Sequence, residues 1–551
     1  MINEKTGKVE EFQNSFSGGM NLIENDTAIA PNQYRDAFNV FNRYGKLEPF
    51  LDAEEVHSDT VGIKQGIYGF GEFIIVFCAG KAYFKHYTKQ NLTLIPSFAM
   101  SETVDRLYAE FVPSSNLNLE RTLTTADQVN KGVDIGSTKV SPTPAAMVVN
   151  DGINQPRIIY YDIPSNSVLS RETKKYSEWN VTTTANAREY VPIGLDMLYH
   201  DGILFMVSPD RKRLYRSVTG RPLDFVVNVD PAGDKVSTGT DPETDGGAKS
   251  SDYAVGFDQI TSLTASTNDT ILIGTNTPQS YSIQIDRTRT VWGEPTFNRV
   301  GRFTGSPINS FSVTDVLGET VFITGEGVIA FNSAQEQQVE SNNTIFSLNI
   351  SSAFKDTTQI SSQSCVGVFN DFVFFSMNSI YGPVFGVYDK LKGQWVSFYS
   401  SGGIRAKQFV SLVPNARELF AITWDDKIYK YFSSANFTSA RVNTKAYNSE
   451  NPRMEQKLDM LNLVFSGAYS SVVEVEPFVD EVSSGIRTKT TNTKSLVNIT
   501  FDLNSRPLNG FKVAYSISWT SGRHLTHLYH CGSILHFQQS TNQASQFTST
   551  K

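Results

Sequence analysis

With 551 residues the chain has room for two or three domains, or for one large repeat array with additions. Its 39% hydrophobic and 19% charged residues, with 37 Phe and 23 Tyr, mark a globular, β-leaning protein and exclude a largely disordered one. The net charge of -8 argues against a general nucleic-acid coat, because phosphate binding rests on Lys and Arg that release counterions.

Cys78, Cys365 and Cys531 are too few and too scattered for a disulfide framework or a CxxC metal site. No apolar run approaches the roughly 20 residues that span a bilayer, and Met1 to Glu11 is polar rather than signal-like. The expectation is a cytosolic folding environment and no membrane anchor. The sequons Asn91-Leu92-Thr93 and Asn180-Val181-Thr182 then read as ordinary loop chemistry.

In chain order, residues 1–60 stand apart as an N-terminal arm. Tyr34, Phe38 and Phe41 fall at helical spacing behind Pro31-Asn32, which predicts a short amphipathic helix. Residues 61–443 carry a degenerate repeat, clearest in Phe311 to Ser333. There a strand, a turn at Leu317-Gly318-Glu319, a strand Thr320 to Thr324, a turn at Gly325-Glu326-Gly327 and a strand Val328 to Phe331 follow one another. The same grammar recurs at Gly69 to Tyr87, Leu198 to Val218, Leu263 to Ile285, Val366 to Tyr388 and Ser411 to Phe432, and more weakly at Ala146 to Tyr161. Copies begin roughly 40 to 80 residues apart, the lower end of which is the period of propeller blades. One meander cannot bury both its faces, so an irregular β-propeller of six or seven blades is expected.

Two stretches interrupt the repeat, at about 101–145 and 229–256. In the first, Ser101 is positioned to cap a helix with Val104, Leu107, Tyr108 and Phe111 on one face. After a polar linker from Thr444 to Arg453, Leu461, Leu463 and Phe465 share one side of a strand, and the strands to residue 537 predict a C-terminal β-sandwich over 444–537. Residues 538–551, small and polar apart from Phe547, read as a flexible tail.

Several constellations imitate sites. His524, His527, His530 with Cys531, and His536 include four of the seven histidines, and on a helix they would suggest zinc. The flanking residues read as strand, where His524 and His530 stand about 20 Å apart, so a polar strand surface or subunit contact is the reading preferred. Asp241-Pro242-Glu243-Thr244-Asp245-Gly246 with Asp252 imitates a calcium loop, but Lys249, a short final carboxylate and the missing flanking helices favour a solvated acidic loop. Asp210-Arg211-Lys212-Arg213 reads as a solvated basic turn, with a phosphate or acidic partner as the functional alternative. Tyr83, Tyr281 and Tyr429 could serve as sugar platforms, but their matched positions favour packing between blades. No nucleophile elbow, phosphate-cradling glycine loop, HExxH helix or sialidase Asp box occurs. No catalytic, cofactor-binding or metal residue is therefore assigned, no cofactor is expected, and the expected role is non-enzymatic.

Four segments also resemble a known family. They are Phe16-Ser17-Gly18-Gly19-Met20-Asn21, Pro31 to Val40 with the Tyr44-Gly45-Lys46-Leu47 turn, Tyr215 to Phe225, and Tyr388-Asp389-Lys390-Leu391-Lys392-Gly393-Gln394-Trp395. In order, and across most of residues 12–515, the chain is similar to the tail nozzle and packaged-DNA stabilisation proteins of short-tailed bacteriophages. The resemblance implies a structural virion protein of the tail, assembled in the host cytoplasm as a homo-oligomeric ring, a hexamer. It would lie below the portal and head–tail adaptor, continue the DNA channel, retain packaged DNA without sequence-specific binding, and dock tail fibres or a tip protein. The acidic balance suits a lumen that lets DNA slide. The rivals are a carbohydrate-binding or glycan-cleaving propeller, such as a receptor-binding tail component, and an extracellular scaffold propeller.

Overall fold

A computed structural model describes residues 2–539 apart from 114–144, 174–190, 226–251, 286–299, 332–343, 355–363 and shorter stretches of five residues or fewer. Among the described residues the chain is all-β, an irregular propeller with an N-terminal arm and a C-terminal sandwich. Its helical turns are the 3-10 segments Ser310–Ser312 and Leu348–Phe354.

The repeat at Phe311 to Ser333 is a blade. Val313–Val316, Glu319–Thr324 and Gly327–Ala330 pair antiparallel in sequence order, and Thr344–Ile345 adds a fourth strand. Leu317 (φ 55) and Gly318 (φ 86) make the first turn; two consecutive positive φ values match the right-handed twist of the flanking strands. Counted in chain order, seven such units occur among the described residues: 64–94, 108–172, 197–254, 260–304, 313–345, 365–399 and 406–431. The second strand of each unit lies between neighbours on both faces, which is why Ile203–Val207 is apolar and buried throughout.

Each unit buries its faces against the next. Ile75, Phe77, Met147 and Ile159 fill the space between units one and two, and Val148, Ile158, Leu204 and Met206 that between two and three. Phe205, Ile271 and Ile273 join three to four, and Leu272 and Phe322 join four to five. Val321, Ile323, Val373 and Phe375 join five to six, Phe374, Phe385, Phe409 and Tyr431 join six to seven, and Ile67, Ile74, Phe420 and Ile422 return seven to one. Glu54–Glu55, from before unit one, pairs with Tyr429 and Lys430 as the outer strand of unit seven. The Gln408 amide spans the same seam, accepting from the Ile67 N–H at 3.2 Å and donating to its carbonyl at 2.6 Å.

The N-terminal arm differs from its expected form. Residues 31–41 form no helix: Asp36–Phe38 and Val40–Arg43 are strands, separated by Asn39 at φ 60. Phe38 pairs in parallel with Phe398 of unit six, while Asp36 to Phe38 pair with Asn443 to Arg441. With sheet partners on both sides the backbone has no need of helical bonds, and tertiary pairing overrides spacing. Tyr34 and Phe38 enter one core and Phe41 another, an arrangement a single helix face could not reach.

The helix at Ser101 is likewise absent. Tyr108–Pro113 is the inner strand of unit two, with Ala109 and Phe111 facing unit one while Tyr108 and Val112 face unit three. The helical i, i+3, i+4 set divides between the two faces of the strand, and both faces are covered by neighbouring units. The interruption at 101–145 thus takes in the lead into unit two, its first strand and the stretch between strands one and two. That at 229–256 falls inside unit three, whose fourth strand is Asp252–Ala254; 114–144 and 226–251 lie outside the described residues.

The sandwich shares a sheet with the propeller. Asp36–Phe38 links Gln394–Tyr399 of unit six to Ala440–Asn443, and the sheet continues through Lys512–Thr520 and Tyr469–Val479. The facing sheet joins Lys8–Gln13, His527–Gln539, Met454–Ser466 and Val497–Asp502. Leu461, Leu463 and Phe465 are fully buried between the sheets, with the Phe465 ring edge-on to Trp519 at 5.6 Å. Thr444 and Ala446 are buried, and Tyr447–Asn448 pairs with Val513 and Lys512, so the start of the expected linker is packed backbone. Residues 540–551, the bulk of the predicted tail, lie outside the described residues.

Gly19 supplies a test of the arm. At φ +73 it lets the Met20 N–H reach the Trp395 carbonyl at 2.8 Å, and a Cβ there would meet that carbonyl oxygen at 2.5 Å. Gly318, at φ +86, has open space around it. Gly318→Ala should cost only backbone strain, about 1–2 kcal/mol. Gly19→Ala should cost clearly more in urea unfolding, and equal losses would show that the arm does not depend on this contact.

Candidate functional site

In a propeller built from meanders, the inner strands begin at one end of the axis, and that end gathers side chains from units far apart in sequence. Phe311 opens unit five on a 3-10 turn capped by Asn309, whose side chain accepts the Phe311 N–H at 2.9 Å. Its ring stacks on Tyr108 of unit two, with centroids 6.2 Å apart and planes 12° apart, and meets Tyr68 of unit one at 6.4 Å. The Arg106 guanidinium lies 4.6 Å from the Phe311 centroid and donates to the Lys407 carbonyl of unit seven at 3.3 Å. Contacts this close across the ring close the axis to duplex DNA, whose major groove alone is about 12 Å wide.

A polar network lies at the same end. Asp196, before unit three, is buried and accepts from the Met197 N–H at 3.0 Å, the Leu263 N–H of unit four at 3.1 Å and the Ser310 hydroxyl. Burial pushes its carboxyl up to about 6, against the lowering effect of these donors and of Arg211. Arg211 donates to the Ile260 carbonyl of unit four at 3.3 Å and to the Tyr108 hydroxyl at 3.4 Å. Glu110 lies between the inner strands of units two and three, hydrogen-bonded to the Tyr199 backbone, and burial pushes it up to about 8. Near pH 7 Asp196 is largely ionised and Glu110 largely protonated. Both cross-link neighbouring units.

A cavity of about 470 Å³ opens where the arm, unit six and the sandwich meet, and both signs of charge line it. Asp36 accepts from Asn443 at 2.7 Å, Lys512 pairs with Glu481 at 3.4 Å, and Arg441 lies 4.3 Å over the Phe38 ring. Asp36 and Lys512 thus find partners within its own lining.

The residues singled out in the sequence are dispersed. His527, His530 and His536 lie along the strand His527–Gln539, opposite Ser466, Val464 and Lys457, with His524 outside the described residues. Cys531 is buried in the sandwich core. No group of three or more His, Cys, Asp or Glu suited to a metal occurs among the described residues. Residues 241–251 of the calcium-like loop also lie outside them, and Asp252 begins a strand. In the basic turn Lys212 and Arg213 are exposed, but Arg211 is a tie between units two and four rather than a solvated charge. Tyr83, Tyr281 and Tyr429 do sit in the third strands of their units, with Tyr281 bonded to Asp258 at 2.9 Å and Tyr429 packed beside Tyr431 at 6.4 Å. Arg106, Asp196 and Phe311 escaped sequence reasoning because Arg106 falls in a stretch that reads as helix, Phe311 in one that reads as strand and Asp196 in neither, and only ring closure brings them together.

No family model and no curated protein matches the sequence. Among solved structures the chain is similar to "YCF48 bound to D1 peptide" at 8% identity, covering 70% of this chain and 97% of that one, with a TM-score of 0.34.

Asp196 titrates near 3.8 when exposed and near 6 in the fold, so the folded state holds the extra proton between those values. Its contribution to stability therefore grows as pH falls from 7 toward 4 and is lost as pH rises through 6. Relative to Asp196→Asn, the natural protein should gain up to about 3 kcal/mol between pH 7.5 and pH 4 in paired urea melts. Parallel curves for the two proteins would remove Asp196 from this role.

Proposed function

We propose that the chain is a non-enzymatic structural protein of a short-tailed bacteriophage tail, a nozzle subunit that forms the wall of the DNA channel. The observation that supports this most directly is the contact among three of the segments that resemble that family. The Phe16 to Asn21 turn abuts Trp395 of the Tyr388 to Trp395 segment, and the Tyr34 hydroxyl donates to the Val396 carbonyl at 2.7 Å. Residues that resemble a family in order, and that meet across most of the chain to set its fold, are what a shared architecture requires.

The closed axis refines the reading. DNA would not thread a single propeller; it would pass along the axis of a ring of copies, six by resemblance, with each propeller as one rigid stave. That ring would sit below the portal and adaptor and offer outer surface to fibres or a tip protein, assembled in the host cytoplasm and resident in the virion tail. Among the described residues no helix is long and apolar enough to cross a membrane.

The test is assembly. Mixed with a head–tail adaptor of a short-tailed phage, the purified chain should form a six-fold ring by native mass measurement and electron microscopy, with more Asp and Glu than Lys and Arg on its lumen. A chain that stays monomeric with adaptor and binds or cleaves glycans on an array would overturn the proposal, as would a strongly basic lumen.

A further inference from the structure

The axial end also holds more hydrogen-bond donors and positive charge than the described residues satisfy. Lys407, in the inner strand of unit seven, is 3% exposed. Its ammonium donates to the Lys64 carbonyl at 2.8 Å and lies 5.0 Å from the Trp424 ring centroid. Arg106 reaches the same ring at 5.7 Å, and its Nη2 goes to the Lys407 carbonyl. Arg106 Nη1 and Trp424 Nε1 are both buried without a hydrogen-bond partner. An ammonium has three donors and a guanidinium five, so the unspent capacity here points one way.

Two carboxylates, Asp105 and Asp426, act on Lys407 electrostatically, but from beyond ion-pair distance. Asp105 is exposed, and Asp426 has one oxygen on the Lys64 N–H at 2.9 Å; neither forms an ion pair with Lys407 or Arg106. Desolvation and the Arg106 charge lower Lys407 to about 8, the response of a buried cation beside a like charge. A buried unsatisfied donor costs about 1–3 kcal/mol, more when charged, and a buried charge is ordinarily paired. Two cations, an indole N–H and an aromatic wall, with no free acceptor among these three side chains, form the complement of a small oxyanion.

We propose that Arg106, Lys407 and Trp424 bind a small free oxyanion at the axial end of the propeller, with inorganic phosphate as the best-matched species. Its three or more acceptor oxygens would take Arg106 Nη1, the free Lys407 protons and Trp424 Nε1 together. The site would pin unit two to unit seven through the anion. It stands independently of any role in a phage tail.

The full chain titrated with inorganic phosphate, at ionic strength held constant with chloride, should show saturable heat and a rise in melting temperature. Acetate in a parallel titration should act more weakly, since one carboxylate offers fewer acceptors; acetate binding at least as tightly would overturn phosphate as the species. Lys407→Met and Arg106→Gln should each weaken phosphate binding at least tenfold. Trp424→Phe, which keeps the ring and removes only the N–H, should weaken it several-fold and guards against misfolding of the other two. No saturable effect beyond chloride, or binding unchanged in a folded Trp424→Phe protein and in either folded charge variant, would overturn the proposal.

Discussion

The structure depends on ring closure. A single meander has two apolar faces and nothing to cover them, so each unit is stable only between two others, and a row of units is complete only when its ends meet. The seam between units seven and one carries the cost of that closure. Bringing residue 55 to residue 429 costs about 5 kcal/mol beyond a constant, from loop entropy that grows only with the logarithm of length. The seven buried apolar residues of that seam, Ile67, Ile74, Val76, Leu412, Phe420, Ile422 and Ile428, return about 1.5–3 kcal/mol each before other costs, so burial wins. The Glu54–Glu55 strand and the Gln408 amide add direction to a non-directional force by fixing which edge meets which.

Closure also creates the axial end. The inner strands converging on one line leave a narrow space in which backbone groups and side chains from distant units must satisfy one another. Phe311 fills it with an aromatic wall, and Asp196 draws donors from units three, four and the lead into five. The same crowding desolvates Glu110, Asp196 and Lys407, which accounts for the upward shifts of the acids and the downward shift of the base. An acidic protein thus keeps two adjacent cations at the centre of its ring, against the sign of its net charge.

The arm and the sandwich obey a second constraint, that a sheet edge be covered. Unit six would present Gln394–Tyr399 as an open edge; Asp36–Phe38 covers it and passes the pairing on to Ala440–Asn443. Propeller and sandwich are therefore one hydrogen-bonded sheet at this junction, and edge-to-edge aggregation is blocked by the chain's own N-terminal segment.

The blades were legible in the sequence because their signals are local. Gly318 between two β-rich runs signals a tight turn, Ile203 to Val207 has the apolar run of a doubly covered strand, and Leu461, Leu463 and Phe465 alternate as one sandwich face must. The segments 31–41 and 101–111 misled because four-residue spacing fits a helix and a strand equally well, and the partner strands that decide between them lie hundreds of residues away or across a long insertion. The axial end was invisible for the same reason in stronger form. Arg106, Asp196, Phe311 and Lys407 carry no periodicity, and their chemistry exists only because closing the ring removes water from between them.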